Sequence, residues 1–280
     1  MNNSSSQQSG QSDRPTHASI AENCAVLLIN LDRSPDRLAA ATQNFAEVGV
    51  LPQRLSGIDA RLADLSGFPV DRKSFARAHG RSLIHPGEIG CYQSHLKALR
   101  LFLESGKPFG LILEDDTVPQ PWLPSTLTTL FEWSEDWDIV PLFHFHRGGP
   151  VTLRRGNGIS LTVFFGPVSS AAAYVVNRKA AAVLVEDLAT MRACADHALF
   201  TTWRNGLRLR GVTPMAVRLA PQAGVSTINN IAFKKPFVLL RLRTFMARSH
   251  LALRIVFSGL RALIKNTLIR KSDRIHSSHS

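Results

Sequence analysis

The run Phe109-Gly-Leu-Ile-Leu-Glu-Asp-Asp-Thr-Val118 sets an unbroken apolar strand directly against three carboxylates, Glu114, Asp115 and Asp116. A strand with no polar face needs cover on both sides, as in a parallel sheet clothed by helices. Acids at its end disfavour folding on their own, because burial and mutual repulsion penalise their ionised forms. A hard divalent cation resolves that conflict, since Mg²⁺ and Mn²⁺ take oxygen ligands and share them with phosphate. The competing role for the triplet is a solvated acidic turn.

The neighbouring pattern fits such a sheet. Ala25-Val-Leu-Leu-Ile-Asn-Leu31 reads as a second buried strand, followed by a helix with Ser34 as its cap and Pro35 in its first position. Leu38, Ala41, Phe45 and Val48 line one face of that helix, and Gly49 stops it. Arg54–Ile58 reads as a strand, residues 60–84 as a basic irregular loop bordering the site, and Gly87–Glu104 as a long helix. Further strands are expected at Trp137–Phe143 and Ser170–Val176, with a hairpin insertion in the turn-rich stretch Gly148–Gly158. Asn177 should cap an Ala-rich helix that lasts to about Leu188. Strands alternating with helices predict an α/β fold with a mostly parallel central sheet.

Charge divides the chain. The net charge is +12, yet residues 1–196 hold 18 Lys/Arg against 20 Asp/Glu, while residues 197–272 hold 14 Lys/Arg and no acid. A basic final third points to an anionic partner, either nucleic acid or a membrane surface. From Leu251 to Leu268, helical spacing gathers Leu253, Val256, Phe257, Leu260, Leu263, Ile264 and Leu268 on one arc bordered by Arg254, Arg261 and Lys265. That is the pattern of an interfacial helix on anionic lipid, with an ordinary packed terminal helix as the plainer reading. It offers no aromatic stacking platform, so nucleic acid is not the expected partner. No stretch reaches the roughly 18 apolar residues of a membrane span. Met1–Ser19 lacks an apolar signal core, and three cysteines without metal-type spacing suit a reducing compartment. These features predict a cytoplasmic protein held peripherally at the inner face of a membrane. They also predict a disordered leader (1–22), a catalytic domain (23–232) and a basic amphipathic tail (233–280).

Several side chains stand where such a sheet opens. Asn30 and Asp32 follow the first strand and suit a base or ribose, while Arg33 and Arg37 suit phosphate; the plainer role is a helix start with an ion pair. Glu88, Cys91 and His95 share a helical face, and Ser94 and His95 are candidates to touch a sugar or diphosphate. A structural histidine and a packing cysteine are the plainer roles there. Asp196 opens a later helix and is either a cap or a general base for an acceptor hydroxyl. His144 and His146 are weaker metal candidates, lacking a third ligand. The absence of a Gly-x-Gly-x-x-Gly or phosphate-loop motif argues against dinucleotide oxidoreductases and P-loop kinases.

Taken in order, Ile29–Arg37, Gly87–Cys91 with Ser94-His95, Leu113–Asp116, Ala172–Val176, Asp196 and Gln222–Ser226 resemble glycosyltransferase family 25, the lipooligosaccharide galactosyltransferase family of Gram-negative bacteria. The resemblance spans about residues 24–230. It implies a GT-A-like nucleotide-diphospho-sugar fold and transfer of a hexose, often galactose from UDP-galactose with inversion, to a lipid-linked or lipopolysaccharide core glycan. It gives Glu114–Asp116 the role of an Asp-x-Asp site for Mn²⁺ or Mg²⁺, with Glu114 replacing the first Asp. Asp196 and His95 are then the catalytic candidates, with Asn30, Asp32, Arg33, Arg37, Glu88 and Ser94 at the donor. The rivals are a nucleotidyltransferase of similar fold and a non-enzymatic basic adaptor for membrane or RNA.

Overall fold

The computed structural model describes residues 17–145, 148–201, 205–221 and 252–264. A five-stranded sheet forms its centre, in the order β2 (Gln53–Ser56), β1 (Cys24–Asn30), β3 (Phe109–Glu114), β8 (Ala173–Asn177) and β5 (Ile139–Pro141). β1 pairs in parallel with β2 and β3, while β8 runs antiparallel to both β3 and β5. Four strands therefore share one direction and β8 opposes them. The fold is mixed α/β with a mostly parallel central sheet.

Strand periodicity assigns the two faces. Leu27, Ile29, Ile112, Tyr174 and Val176 enter one core cluster. Their alternates Val26, Leu28, Leu111, Leu113, Ala173 and Val175 enter the other. Helix α4 (Pro86–Glu104) supplies Leu96, Leu99 and Phe102 to the first cluster, joined there by α6 (Arg178–Asp187) and α7 (Ala195–Phe200). Helices α2 (Pro35–Glu47) and α5 (Leu123–Glu132) cover the second. Gly49 follows α2 with φ +71°, the left-handed stop expected of it.

Several local expectations shift. Helix α1 (His17–Asn23) reaches into the segment predicted as a leader, because Ile20, 2% exposed, enters the second core cluster. The loop predicted over 60–84 contains α3 (Arg72–His79), capped by Asp71, whose side chain accepts from the Ser74 N–H. Phe75 is its buried anchor, and the other positions are mostly basic and polar, so little periodicity marks the helix in the sequence. The predicted hairpin exists as β6 (Pro150–Gly156) and β7 (Ile159–Phe164), and β7 continues to β9 (Gly211–Thr213). A short pair of β4 (Thr117–Pro119) with β10 (Val217–Leu219) holds the chain just past the acidic turn. Asn177 caps α6 as expected, accepting from the Ala180 N–H.

Helix α8 (252–264) lies against the body through Gly259. A Cβ there would fall 2.8 Å from the Phe165 ring, so the glycine lets that ring lie directly against the helix. Among the described residues, no helix is long and apolar enough to cross a membrane. Gln222–Ser226 and the remainder of the basic tail lie outside the described residues, as does His146.

Candidate active site

A cleft of about 480 Å³ opens at the carboxyl ends of β1 and β3. Arg33, Ser34 and Arg37 border it from β1 and α2, Asp59 and Arg61 from the loop after β2, and His85 to Gly87 from the start of α4. Glu114, Asp115 and Asp116 stand in its wall. Two helix amino termini thus meet this cleft, and such termini favour anions. The Ser34 side chain makes no cap bond to α2, so the first turn of that helix is not satisfied by it.

The carboxylate triplet is divided by strand parity. Glu114 continues the Ile112 face and turns toward α4, where His95 Nε2 is 3.0 Å from its Oε1 and the Cys91 thiol donates at 3.7 Å. Asp115 continues the Leu113 face and turns toward α2. Its Oδ2 accepts from Asn30 Nδ2 at 2.7 Å, and its Oδ1 pairs with Arg37. Asp116, beyond the strand, keeps one oxygen 3.4 Å from Arg37. Its other oxygen, Oδ1, is buried without a hydrogen-bond partner.

These settings pull the three acids apart. Burial pushes the Asp116 carboxyl up to about 7, reinforced by the charge of Glu114. Burial also raises Asp115, against the opposing charge of Arg37. Burial acts upward on Glu114 too, but the His95 hydrogen bond leads the effects that hold it below the ordinary carboxylate range. An acid held near neutrality with an orphaned buried oxygen is a favourable position for a cation. The residues present therefore fit a divalent metal at Asp116. A second donor set adjoins it, since Cys91, His95 and Glu114 bring one ligand atom each within 4.8 Å of one another.

Several predicted site residues act as supports. Asn30, 1% exposed, also donates to the Ser34 carbonyl at 3.0 Å and accepts from Arg54 at 3.2 Å, joining β1, β2 and α2. Ser94 donates to the Gly90 carbonyl at 2.7 Å and accepts from the Ile58 N–H at 2.8 Å, pinning the loop after β2 to α4. A Cβ on Gly90 would lie 2.6 Å from the Ile58 carbonyl, so this glycine lets the loop approach. His95 is buried between Glu114 and the Tyr174 hydroxyl, 3.3 Å from its Nδ1. His95 and Ser94 both line the cleft, and the His95 ring stands at its inner end between these two partners.

Glu88 and Asp32 are absent from the cleft wall. Glu88 completes the capping box of α4 by accepting from the His85 N–H at 2.9 Å, and it pairs with Arg81 and Cys194. Asp32 faces solvent beside Arg54 and Ser56. Asp196 also stands outside the wall and accepts from the backbone N–H groups of Ser170 at 3.2 Å and His197 at 2.8 Å. His144 is buried with its ring edge-on to Phe164, centroids 5.3 Å apart, and is not in the wall.

Arg61 belongs to the basic loop expected to border the site, whereas sequence reasoning missed Asp59 and Tyr174. Asp59 and Arg61 follow Gly57 at the carboxyl end of β2, the sheet edge already marked by Asn30, and Asp59 pairs with Arg33. Tyr174 shares the Ile112 face of the sheet, so its hydroxyl is placed beside His95 by a pairing that the sequence does not announce.

Comparison with known proteins gives one family and, among solved structures, distant likenesses. Residues 23–140 match the model of glycosyltransferase family 25 (LPS biosynthesis protein). No curated protein matches the chain. Among solved structures, A197 from STIV is similar at 14% identity, over 68% of this chain and 81% of that one, with a TM-score of 0.37. Mannose-1-phosphate geranyltransferase from Thermus thermophilus is similar at 12% identity, over 68% of this chain and 73% of that one, with a TM-score of 0.35. The matched segment runs from β1 into β5 and contains the acidic turn and the residues that line the cleft, so the part of the chain that forms the candidate site is the part similar to glycosyltransferase family 25, a family of glycosyltransferases.

Proposed function

We propose that the cleft binds a nucleotide-diphospho-sugar in a GT-A-like manner. The hexose, galactose from UDP-galactose with inversion, is passed to a lipopolysaccharide or lipooligosaccharide core glycan. The family supports a sugar-transfer role in LPS biosynthesis. The observation that carries the finer reading is the buried, unpartnered Asp116 oxygen in a cleft bordered by Arg33, Arg37 and Arg61. Diphosphate oxygens and a divalent ion together complement that arrangement.

In this reading Asp116 would hold Mn²⁺ or Mg²⁺, with Asp115 and Glu114 beside it. The ion would neutralise charge developing on the departing diphosphate. Arg37 exchanges part of its pairing with Asp115 for the phosphates, while Arg33 and the start of α4 border the rest of the donor. Asn30 orients Asp115, while His95 orients Glu114 from a position in the cleft wall beside the donor. Asp196 is the proposed base for the acceptor hydroxyl, reached by rotation away from its backbone partners. The C-terminal segment is proposed to hold the enzyme at the cytoplasmic face of the inner membrane.

A screen of nucleotide sugars, with and without Mn²⁺, tests this directly by scoring release of free nucleoside diphosphate. Asp116→Ala should lose transfer while keeping the fold by circular dichroism. Wild-type turnover in that variant would overturn the assignment. Asp196→Asn should lose transfer while donor binding persists.

A further inference from the structure

Away from the cleft, a groove of about 910 Å³ runs between the body and α8. Lys179, Arg208 and Arg210 line it from the body, and Arg254 and Arg261 line it from the helix. No acidic side chain lies in this wall among the described residues. Asp138 sits behind it, fully buried, where it binds Arg208 at 2.9 Å and lies 3.6 Å from Lys179. Glu135 and Asp136 also act on Arg208 from outside the wall, so the acids near the groove stand behind or beside it and the wall itself presents cations. Arg210 adds a second sign of an unmet need, since its Nε is buried without a hydrogen-bond partner.

The same helix is apolar on its outward side. Leu253, Phe257, Leu260 and Ile264 are 59%, 60%, 43% and 59% exposed, and their spacing by three and four residues makes one stripe. Leu253 and Phe257 also form the lip of the cationic groove. The inward side is already used, because Gly259 rests on Phe165. A helix docked by one face, with an apolar stripe on the other and cations between, has the chemistry of an interfacial element.

We propose that the groove between α8 and the body is a binding site for the phosphate of an anionic membrane lipid, with the Leu253–Ile264 stripe entering the acyl region beside it. This rests on the membrane-surface reading above and adds that the body, through Lys179 and Arg210, completes the site. Charge complementarity selects an anionic headgroup, and the adjoining apolar lip selects a lipid over free phosphate.

Co-sedimentation of the full chain with phosphatidylcholine vesicles, with and without phosphatidylglycerol, tests the site. Binding should require the anionic lipid. Lys179→Glu and Arg261→Glu should each weaken it by at least about fivefold, whereas Arg218→Glu on β10 should not. Phe257→Asp should also weaken it. Inorganic phosphate at matched ionic strength should not displace the protein. Unchanged binding in Lys179→Glu beside loss in Arg261→Glu would overturn the shared groove, leaving a simple tail contact. Equal binding to neutral vesicles, displacement by phosphate, or stronger retention by an RNA oligomer would each overturn the lipid assignment. Release of nucleoside diphosphate from the donor, measured in the same variants, reports on the transferase reading separately and should persist.

Discussion

Asn30 at the tip of β1 donates to Asp115 at the tip of β3 across 2.7 Å, with Asp115 also held by Arg37. The amide thereby fixes one carboxylate of the acidic turn without adding charge. Asn30→Ala should destabilise the fold by about 1–3 kcal/mol, the usual cost of stranding a buried polar partner. Asn30→Asp should be worse at pH 8 than at pH 5, because a second carboxylate then faces Asp115. Urea unfolding at both pH values checks this, and equal loss would mean that Asp115 draws its support from Arg37 alone.

His95 does the corresponding work on the other side of the strand. With His95→Phe, Glu114 keeps its burial but loses the bond that holds its carboxyl down. A loss of about 1–3 kcal/mol is expected. The double variant His95→Phe/Glu114→Gln should recover part of it, since the stranded charge is gone. A thermodynamic cycle of the four proteins measures the coupling; strict additivity would contradict it.

Asp116 gives the site a pH dependence of definite sign. Burial raises its carboxyl from 3.8 to about 7, so the folded state retains a proton that the unfolded state releases. Its contribution is fully present below the unfolded value and is lost as pH rises from about 4 through 7. Thermal melts without metal should therefore show wild type losing stability over that window relative to Asp116→Asn. Mn²⁺ affinity should rise over the same range, with proton release measurable by calorimetry in two buffers. A metal affinity independent of pH between 5 and 8 would contradict this account.

Asp138 is the structural keystone beneath the basic groove. It accepts from the Arg208 side chain at 2.9 Å, from the Arg208 backbone at 2.8 Å and from Asn177 at 3.1 Å. Burial opposes its ionisation, yet the Arg208 bonds hold its carboxyl down at about 2. Its stabilisation is present above the ordinary 3.8 and fades only as pH falls through about 2. Asp138→Ala should cost about 3–5 kcal/mol at neutral pH, because it strands the buried part of Arg208. Chemical denaturation measures it, and a loss below about 1 kcal/mol would show that water reaches the pair.

The apolar runs at 25–31 and 109–113 announce a sheet buried on both faces, and the alternation of strands with helices announces the α/β class. These features depend on local order in the chain, so they are legible without tertiary information. Glu114–Asp116 marks the site for the same reason: charge at the end of a buried strand is conspicuous wherever the strand lies. The capping residues Asn177 and Gly49 are readable because each acts within a turn of its own position.

Direction and partnership require the fold. Nothing local makes β8 antiparallel, because strand direction follows from the connection across the sheet. Nor does sequence reveal that Glu88 is spent on a helix cap while Asp59, in an unremarkable loop, borders the cleft. Parity alone sends Glu114 toward α4 and Asp115 toward α2, but only packing puts His95 on one side and Asn30 with Arg37 on the other. The chain by itself determined which residues carry charge into the sheet's edge. Tertiary structure decided which of those charges are neutralised by neighbours and which one, Asp116, retains an oxygen for something else, because that depends on contacts between segments far apart in sequence.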